Sequence, residues 1–198
     1  MPIEVDEDRR LDEIADATIA IAQERGVSAV TVRAVAERLG GSTSVVTNYI
    51  PNRPALLINA LRHVERDWET EASEVIAGLT GIERLRAYAR WMCSTTAVDE
   101  VMRRLLMEFL SINPGTAPEV ERLLPLDARD DRRELGEIVA EAGIQDPEVA
   151  ADVLHLLFRG FWLSSLEDPE SWPGDAGARA AVAVIDQFAR TRPDVRAE

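Results

Sequence analysis

Apolar residues recur at helical spacing along nearly the whole chain, and the sharpest pattern lies between positions 31 and 57. Val32, Val35, Ala36 and Leu39 stand at i, i+3, i+4 and i+7, which puts them on one face of a short helix and turns Thr31, Arg33, Glu37 and Arg38 to the other. Gly40 and Gly41 end that helix, because glycine accepts the left-handed backbone of a C-cap, and Ser42 can accept from the free N–H groups of a new helix. The new helix has about two turns, since Pro51 lacks an N–H and biases Ile50 away from helical dihedrals. Within it Val46 and Ile50 are four apart and can dock on the Val32/Leu39 face. Thr43, Ser44, Val45, Thr47 and Asn48 then point outward.

An earlier helix carries Ile14, Ala17, Ile21 and Ala22, preceded by an acidic segment that reads as an arm over residues 1–8. After Pro54 the pattern stays helical, with no alternating run long enough for a strand. A fourth helix bears the stripe Leu57, Leu61, Val64 and Trp68, and further helices are expected at 82–96, 101–112, 119–142, 147–166 and 175–190. Breaks fall at Asn113-Pro114-Gly115 and at 143–147, and Pro125 should kink or split the helix that contains it. The expected fold is therefore all-α, with about nine helices.

The last two helices differ from the rest. Leu154, Leu157, Phe158, Phe161, Trp162 and Ser165 form one stripe, while Leu156, Leu163 and Leu166 lie outside it. A helix apolar nearly all round needs partners on more than one side. In the final helix Ala178, Ala181, Val182, Ile185, Phe188 and Ala189 make a core stripe widened by Ala180, Ala183 and Val184. Such a pair can supply half of an intermolecular four-helix bundle and so a two-fold dimer.

The outward residues of the second short helix suggest its task. Short polar side chains let a backbone approach base edges in a major groove, whereas a helix made only for packing has no need of Thr, Ser, Thr and Asn on one side. Asn52-Arg53-Pro54 adds a second clue, with Asn52 as N-cap and proline in the first turn. A cation such as Arg53 opposes the helix dipole there by roughly 0.3–1 kcal/mol unless an anion sits beside it, and a DNA phosphate would serve.

These residues resemble the DNA-binding domain of the TetR family of transcriptional regulators. The resemblance runs through Ile14, Ala17, Ile21 and Ala22, Glu24-Arg25-Gly26, Thr31-Val32-Arg33-Ala34-Val35-Ala36, Leu39-Gly40, Ser42, Tyr49, Pro51, Arg53 and Leu56-Leu57. It implies a helix-turn-helix DNA-binding domain over residues 1–53 and a helical ligand-binding and dimerisation domain over 54–198. It puts Arg33, Thr43, Ser44, Val45 and Thr47 near bases, and Thr31, Asn48, Tyr49 and Arg53 near phosphates, with Ser42 opening the recognition helix. Four positions depart from the family pattern: Gly41 replaces a branched apolar residue, Thr47 a tyrosine, Ile50 a phenylalanine, and Pro54 an acid. The resemblance also places the dimer on the two C-terminal helices. It implies a homodimer that binds a near-palindromic double-stranded DNA operator and is released by a small, largely apolar effector.

Charge qualifies this picture. The net charge is −14, yet between positions 25 and 66 six arginines face two acids, and widening the window to 9–68 leaves a surplus of only one. A small basic face on an acidic protein predicts weak, salt-sensitive nonspecific DNA affinity. All 22 basic residues are arginine and are spread over the whole chain, which points to codon usage more than to function. The run from Asp127 to Glu134 reads as a solvated face. A lone cysteine, Cys93, excludes an internal disulfide, and neither a secretory signal nor a membrane span is expected: the longest apolar stretch, 153–166, holds His155, Arg159 and Gly160. A cytoplasmic location follows.

The regulatory input would come from large apolar residues of the middle helices. Trp91, Met92, Met107, Leu110, Phe158 and Trp162 are candidates to line an apolar pocket, with Phe109 and Phe161 beside them and His155 and Arg159 as polar groups. No cofactor or metal is implied. Two rival classes stay open. A helical-bundle enzyme or metal protein would rest on Asp152-x-x-His155, although no catalytic motif is present and a di-iron site needs a second such pair. A helical interaction module would leave the polar face of 42–53 without a purpose.

Overall fold

The computed structural model describes residues 3–94, 96–112 and 118–190. Among them the chain forms nine α-helices, a 3-10 turn at Val27–Ala29 and no strand. The helices are α1 Ile3–Arg25, α2 Val32–Arg38, α3 Ser44–Thr47, α4 Arg53–Ile76, α5 Gly81–Met92, α6 Ala97–Leu110, α7 Pro118–Glu141, α8 Pro147–Glu167 and α9 Gly174–Arg190. The all-α expectation holds.

Several boundaries differ from the sequence reading: α3 has one turn in place of two, α6 starts earlier than 101, and three more differences have a local reason. The acidic N-terminal segment is helical from Ile3, not an arm, because nothing after Pro2 interrupts propagation from the periodic run. α5 ends at Met92, short of Thr96, because Thr96 caps the next helix: its hydroxyl accepts from the Asp99 N–H at 3.2 Å, and the Asp99 carboxylate accepts from the Thr96 N–H at 2.7 Å. α7 runs through Pro125 as one helix. The break at Asn113-Pro114-Gly115 lies outside the described residues.

The chain divides into two compact units, one of residues 1–69 with 96–124 and one of 70–95 with 125–198. In the first, Ile14, Ile21, Val35, Val46, Leu56, Leu57 and Leu105 are buried together with Ala17 and Ala22 of α1, Ala36 of α2 and Leu61 and Val64 of α4. α6 packs on α1 and the 3-10 turn. The Trp68 indole N–H donates to Asp99 at 3.1 Å, so the capping carboxylate of α6 also receives α4.

In the second unit α9 packs against α5 and α8. α8 buries Ala150, Ala151, Leu154, Phe158, Phe161, Trp162 and Ser165. A Cβ on Gly177 of α9 would stand 2.5 Å from the Phe161 ring, so only glycine lets the two helices approach this closely. Arg86 of α5 donates through Nε and Nη2 to Asp186 of α9 at 3.0 and 2.6 Å. α8 is the one helix among the described residues long and apolar enough to cross a membrane, but its buried stripe is packed against protein and it carries Asp152, His155 and Arg159.

Candidate functional site

α2, α3 and the start of α4 are built by their caps. The Thr31 hydroxyl accepts from the Ala34 N–H at 3.0 Å and starts α2. Asn52 Oδ1 accepts from the Ala55 N–H at 2.9 Å and starts α4, as its sequence position suggests. Between α2 and α3 only Gly40 takes the left-handed backbone, at φ 71°. Gly41 has a different role: a Cβ there would stand 2.5 Å from Val45 Cγ2, so its missing side chain is the space that Val45 occupies. Ser42 does not cap α3 with its hydroxyl, which meets the Ser44 hydroxyl at 2.7 Å; the Ser42 carbonyl accepts from the Val45 N–H instead.

The turn fixes which side of α3 faces inward. Val46 and Ile50 are buried, as are Val35 and Ala36 of α2, with Val32 and Leu39 half-buried at the rim. Thr43, Ser44, Thr47, Asn48 and Tyr49 are exposed and Val45 is half-exposed, so of residues 43–49 only Val46 is sealed from solvent. Arg33 and Thr31 are also exposed.

Arginine charge near this face is largely answered by acids. Arg33 pairs with Glu37 at 2.8 Å, and Arg38 of α2 meets Glu24 of α1 through two bonds of 2.8 Å. That fork holds the Glu24 carboxyl below its ordinary range and raises Arg38. Arg66 reaches Asp12 at 2.6 Å, where His63 also sits between Asp12 and Asp16. Arg53 turns into the fold: Nε donates to the Val30 carbonyl at 2.9 Å, Nη2 donates to the Val27 carbonyl at 3.1 Å, and Nη2 lies 2.9 Å from a Glu108 carboxylate oxygen of α6. The sequence points to an anion beside Arg53, and Glu108 supplies one from 55 positions further along. No local pattern could name that partner.

A transcriptional repressor of the helix-turn-helix type, KstR of Mycolicibacterium smegmatis, is 32% identical over 165 residues, covering 79% of this chain and 74% of the relative. The helix-turn-helix regulator BetI of Paraburkholderia phymatum is 27% identical over 183 residues, covering 89% and 91%. The chain belongs to the TetR family of transcriptional regulators. Solved structures share the fold, among them a transcriptional regulator from Rhodococcus sp. Rha1 with a TM-score of 0.77 at 20% identity, over 91% of this chain and 96% of that one. No family model matches the chain. As a TetR-family member it is a DNA-binding transcriptional regulator, as the relatives above are regulators of transcription.

The effector candidates of this TetR-family chain fall in both units. Trp91, Met92, His155, Phe158, Arg159 and Trp162 belong to the second, while Met107 and Leu110 belong to the first. Within the second unit Tyr88, which the sequence reading passed over, joins the group, with ring centroids 5.7 Å from Trp91 and 6.4 Å from Phe158. Its phenol is pushed well up by burial, with Glu134 and Asp131 adding to the shift. The Trp162 indole N–H donates to the Met92 carbonyl at 3.0 Å. Arg159 lies 4.8 Å over the Trp162 ring and pairs with Asp131 at 3.1 Å. His155 is held below its ordinary value by burial and then by Arg159 and Arg132. Leu110 is more than half exposed.

Proposed function

We propose that the chain is a homodimeric repressor whose DNA-binding head, residues 1–53, reads a near-palindromic operator, and whose body, 54–198, binds a small, largely apolar effector that releases it. The observation that carries this reading is the outward face of α3: Thr43, Ser44, Thr47, Asn48 and Tyr49 stand exposed over a buried Val46 and Ile50. On this reading Arg33, Thr43, Ser44, Val45 and Thr47 approach base edges, with Ser42 opening the recognition helix, while Thr31, Asn48, Tyr49 and Arg53 lie nearest the phosphates. Two such helices in a dimer would enter successive major grooves about 34–36 Å apart, which makes the operator symmetric. The protein works in the cytoplasm.

Support for the dimer comes from α8. Val149, Val153, Leu156 and Leu163 are exposed on it, with Leu156 at 70%, and they share the side on which Gly160 is also exposed. A second copy, packing α8 and α9 against their equivalents, would cover that stripe. The effector candidates are Trp91, Met92, Met107, Leu110, His155, Phe158, Arg159 and Trp162; a solved family neighbour from Saccharomonospora viridis was crystallised with choline, and another structure is a complex of SmeT with triclosan. An effector would act by binding one head separation better than the other, and by no more than that difference.

Selection of the purified protein on random duplex DNA at two salt concentrations tests the reading. Enrichment of a two-fold symmetric site, with affinity falling as salt rises, is expected; enrichment of no sequence from effector-free protein would overturn it.

A further inference from the structure

We propose that Glu108 is an internal stand-in for a DNA phosphate, holding the Arg53 guanidinium when no DNA is bound and giving it up when the operator binds. The inference rests on the operator-binding reading above and deepens it by adding a positioning residue outside the DNA-binding head.

The geometry is specific. Arg53 opens α4, where the free N–H groups and the helix dipole already favour an anion. Nε and Nη2 hold the carbonyls of Val30 and Val27, so the guanidinium is anchored one residue before Thr31, the cap of α2. Those bonds fix the plane of the group. The remaining reach of Nη2 goes to Glu108 at 2.9 Å, and Nη1 has no partner among the described residues. The pair is neither buried nor fully solvated, with side-chain exposures of 31% for Arg53 and 37% for Glu108. A carboxylate oxygen placed on a guanidinium fork at a helix start presents the same charge and acceptor geometry that a phosphate oxygen would. Both anions cannot hold that donor at once, so binding DNA through Arg53 means displacing Glu108.

Two consequences separate this from a merely structural ion pair. Removing the Glu108 charge leaves the two backbone anchors of Arg53 in place and frees its outward donors for phosphate. DNA affinity then rises for every sequence alike, since phosphates carry no sequence information. The slope of log K against log salt stays at the parent value, because Arg53 neutralises the same phosphate in both complexes, whereas loss of Arg53 itself should make the slope less negative by about 0.9. A pair that served only to hold α6 in place would lower affinity when broken.

The test uses the full-length protein and a fluorescein-labelled duplex of mixed sequence, titrated over a series of salt concentrations. Glu108→Gln should bind severalfold tighter than the parent with the slope of log K against log salt unchanged. Glu100→Gln removes the same charge at the other end of α6, where Glu100 pairs with Arg104, and should leave the affinity close to the parent value. In an Arg53→Gln background, with folding checked by circular dichroism, the slope should be less negative and Glu108→Gln should no longer raise the affinity. A parent protein that binds while Glu108→Gln binds no tighter overturns the proposal. So does an equal gain in Glu100→Gln, or a gain that persists without Arg53. No salt-dependent binding by the parent at all would overturn the operator-binding reading and this proposal with it.

Discussion

At Gly177 one missing atom sets how closely two helices meet. Phe161 is nearly sealed from solvent and its ring fills the place of the absent Cβ. Gly177→Ala gains helix propensity of about 1 kcal/mol but forces the ring to move, and overpacking of this kind costs about 1–3 kcal/mol. The midpoint of denaturant unfolding should fall, and Phe161→Leu in the same chain should restore part of the loss. His155 gives a pH-dependent counterpart. Its folded-state pKa lies below the ordinary 6.5, with burial the main cause and Arg159 and Arg132 next, so the neutral ring is the form that suits the fold. Stability is at its full value above 6.5 and declines as pH drops below it, because the unfolded chain takes up the proton first. The decline levels once the folded ring protonates. His155→Gln should flatten that part of the stability profile, and urea titrations across the pH series would show it.

Among the elements, the short helices depend on their ends. α2 has only seven residues, so its Thr31 cap is a large share of what holds it. Thr31→Ala should cost about 1 kcal/mol of stability, visible as a lower melting temperature, whereas Thr31→Ser should cost much less. α8 is the opposite case, a long helix with apolar residues to spare. If its Val149, Val153, Leu156 and Leu163 side is the seam between protomers, Leu156→Glu should yield a monomer in sedimentation velocity with helical content unchanged. A dimer that survives this change would move the seam elsewhere. These two helices also show what could be read from residue order. Periodicity and cap residues are local signals, so α2, α8, α9 and the start of α4 were legible almost to the residue. Thr96 was assigned to the wrong helix because a threonine between two periodic runs can end one or begin the next, and only the Asp99 side chain decides it. The outward face of α3 was readable from Val46 and Ile50. The role of Gly41 was not, since it depends on where Val45 places its methyl group.

For the molecule as a whole, charge is organised by pairing more than by patches. Four of the six arginines that give residues 25–66 their basic surplus meet Glu37, Glu24, Glu108 and Asp12, and three of those acids lie outside that stretch. A window count along the chain cannot see them. One further consequence concerns modularity. The compact unit that holds the helix-turn-helix is discontinuous in sequence: it takes residues 1–69 and then α6 from a separate, later segment. α6 brings Leu105 to the core, Asp99 to Trp68 and Glu108 to Arg53. A polypeptide cut after residue 69 should therefore melt at lower temperature and with less cooperativity than the same transition in the intact chain, as circular dichroism would record. Grafting this reading head onto another regulator is then not a matter of one splice site, because the graft must carry two pieces of chain, and α6 is the piece a linear map would leave behind.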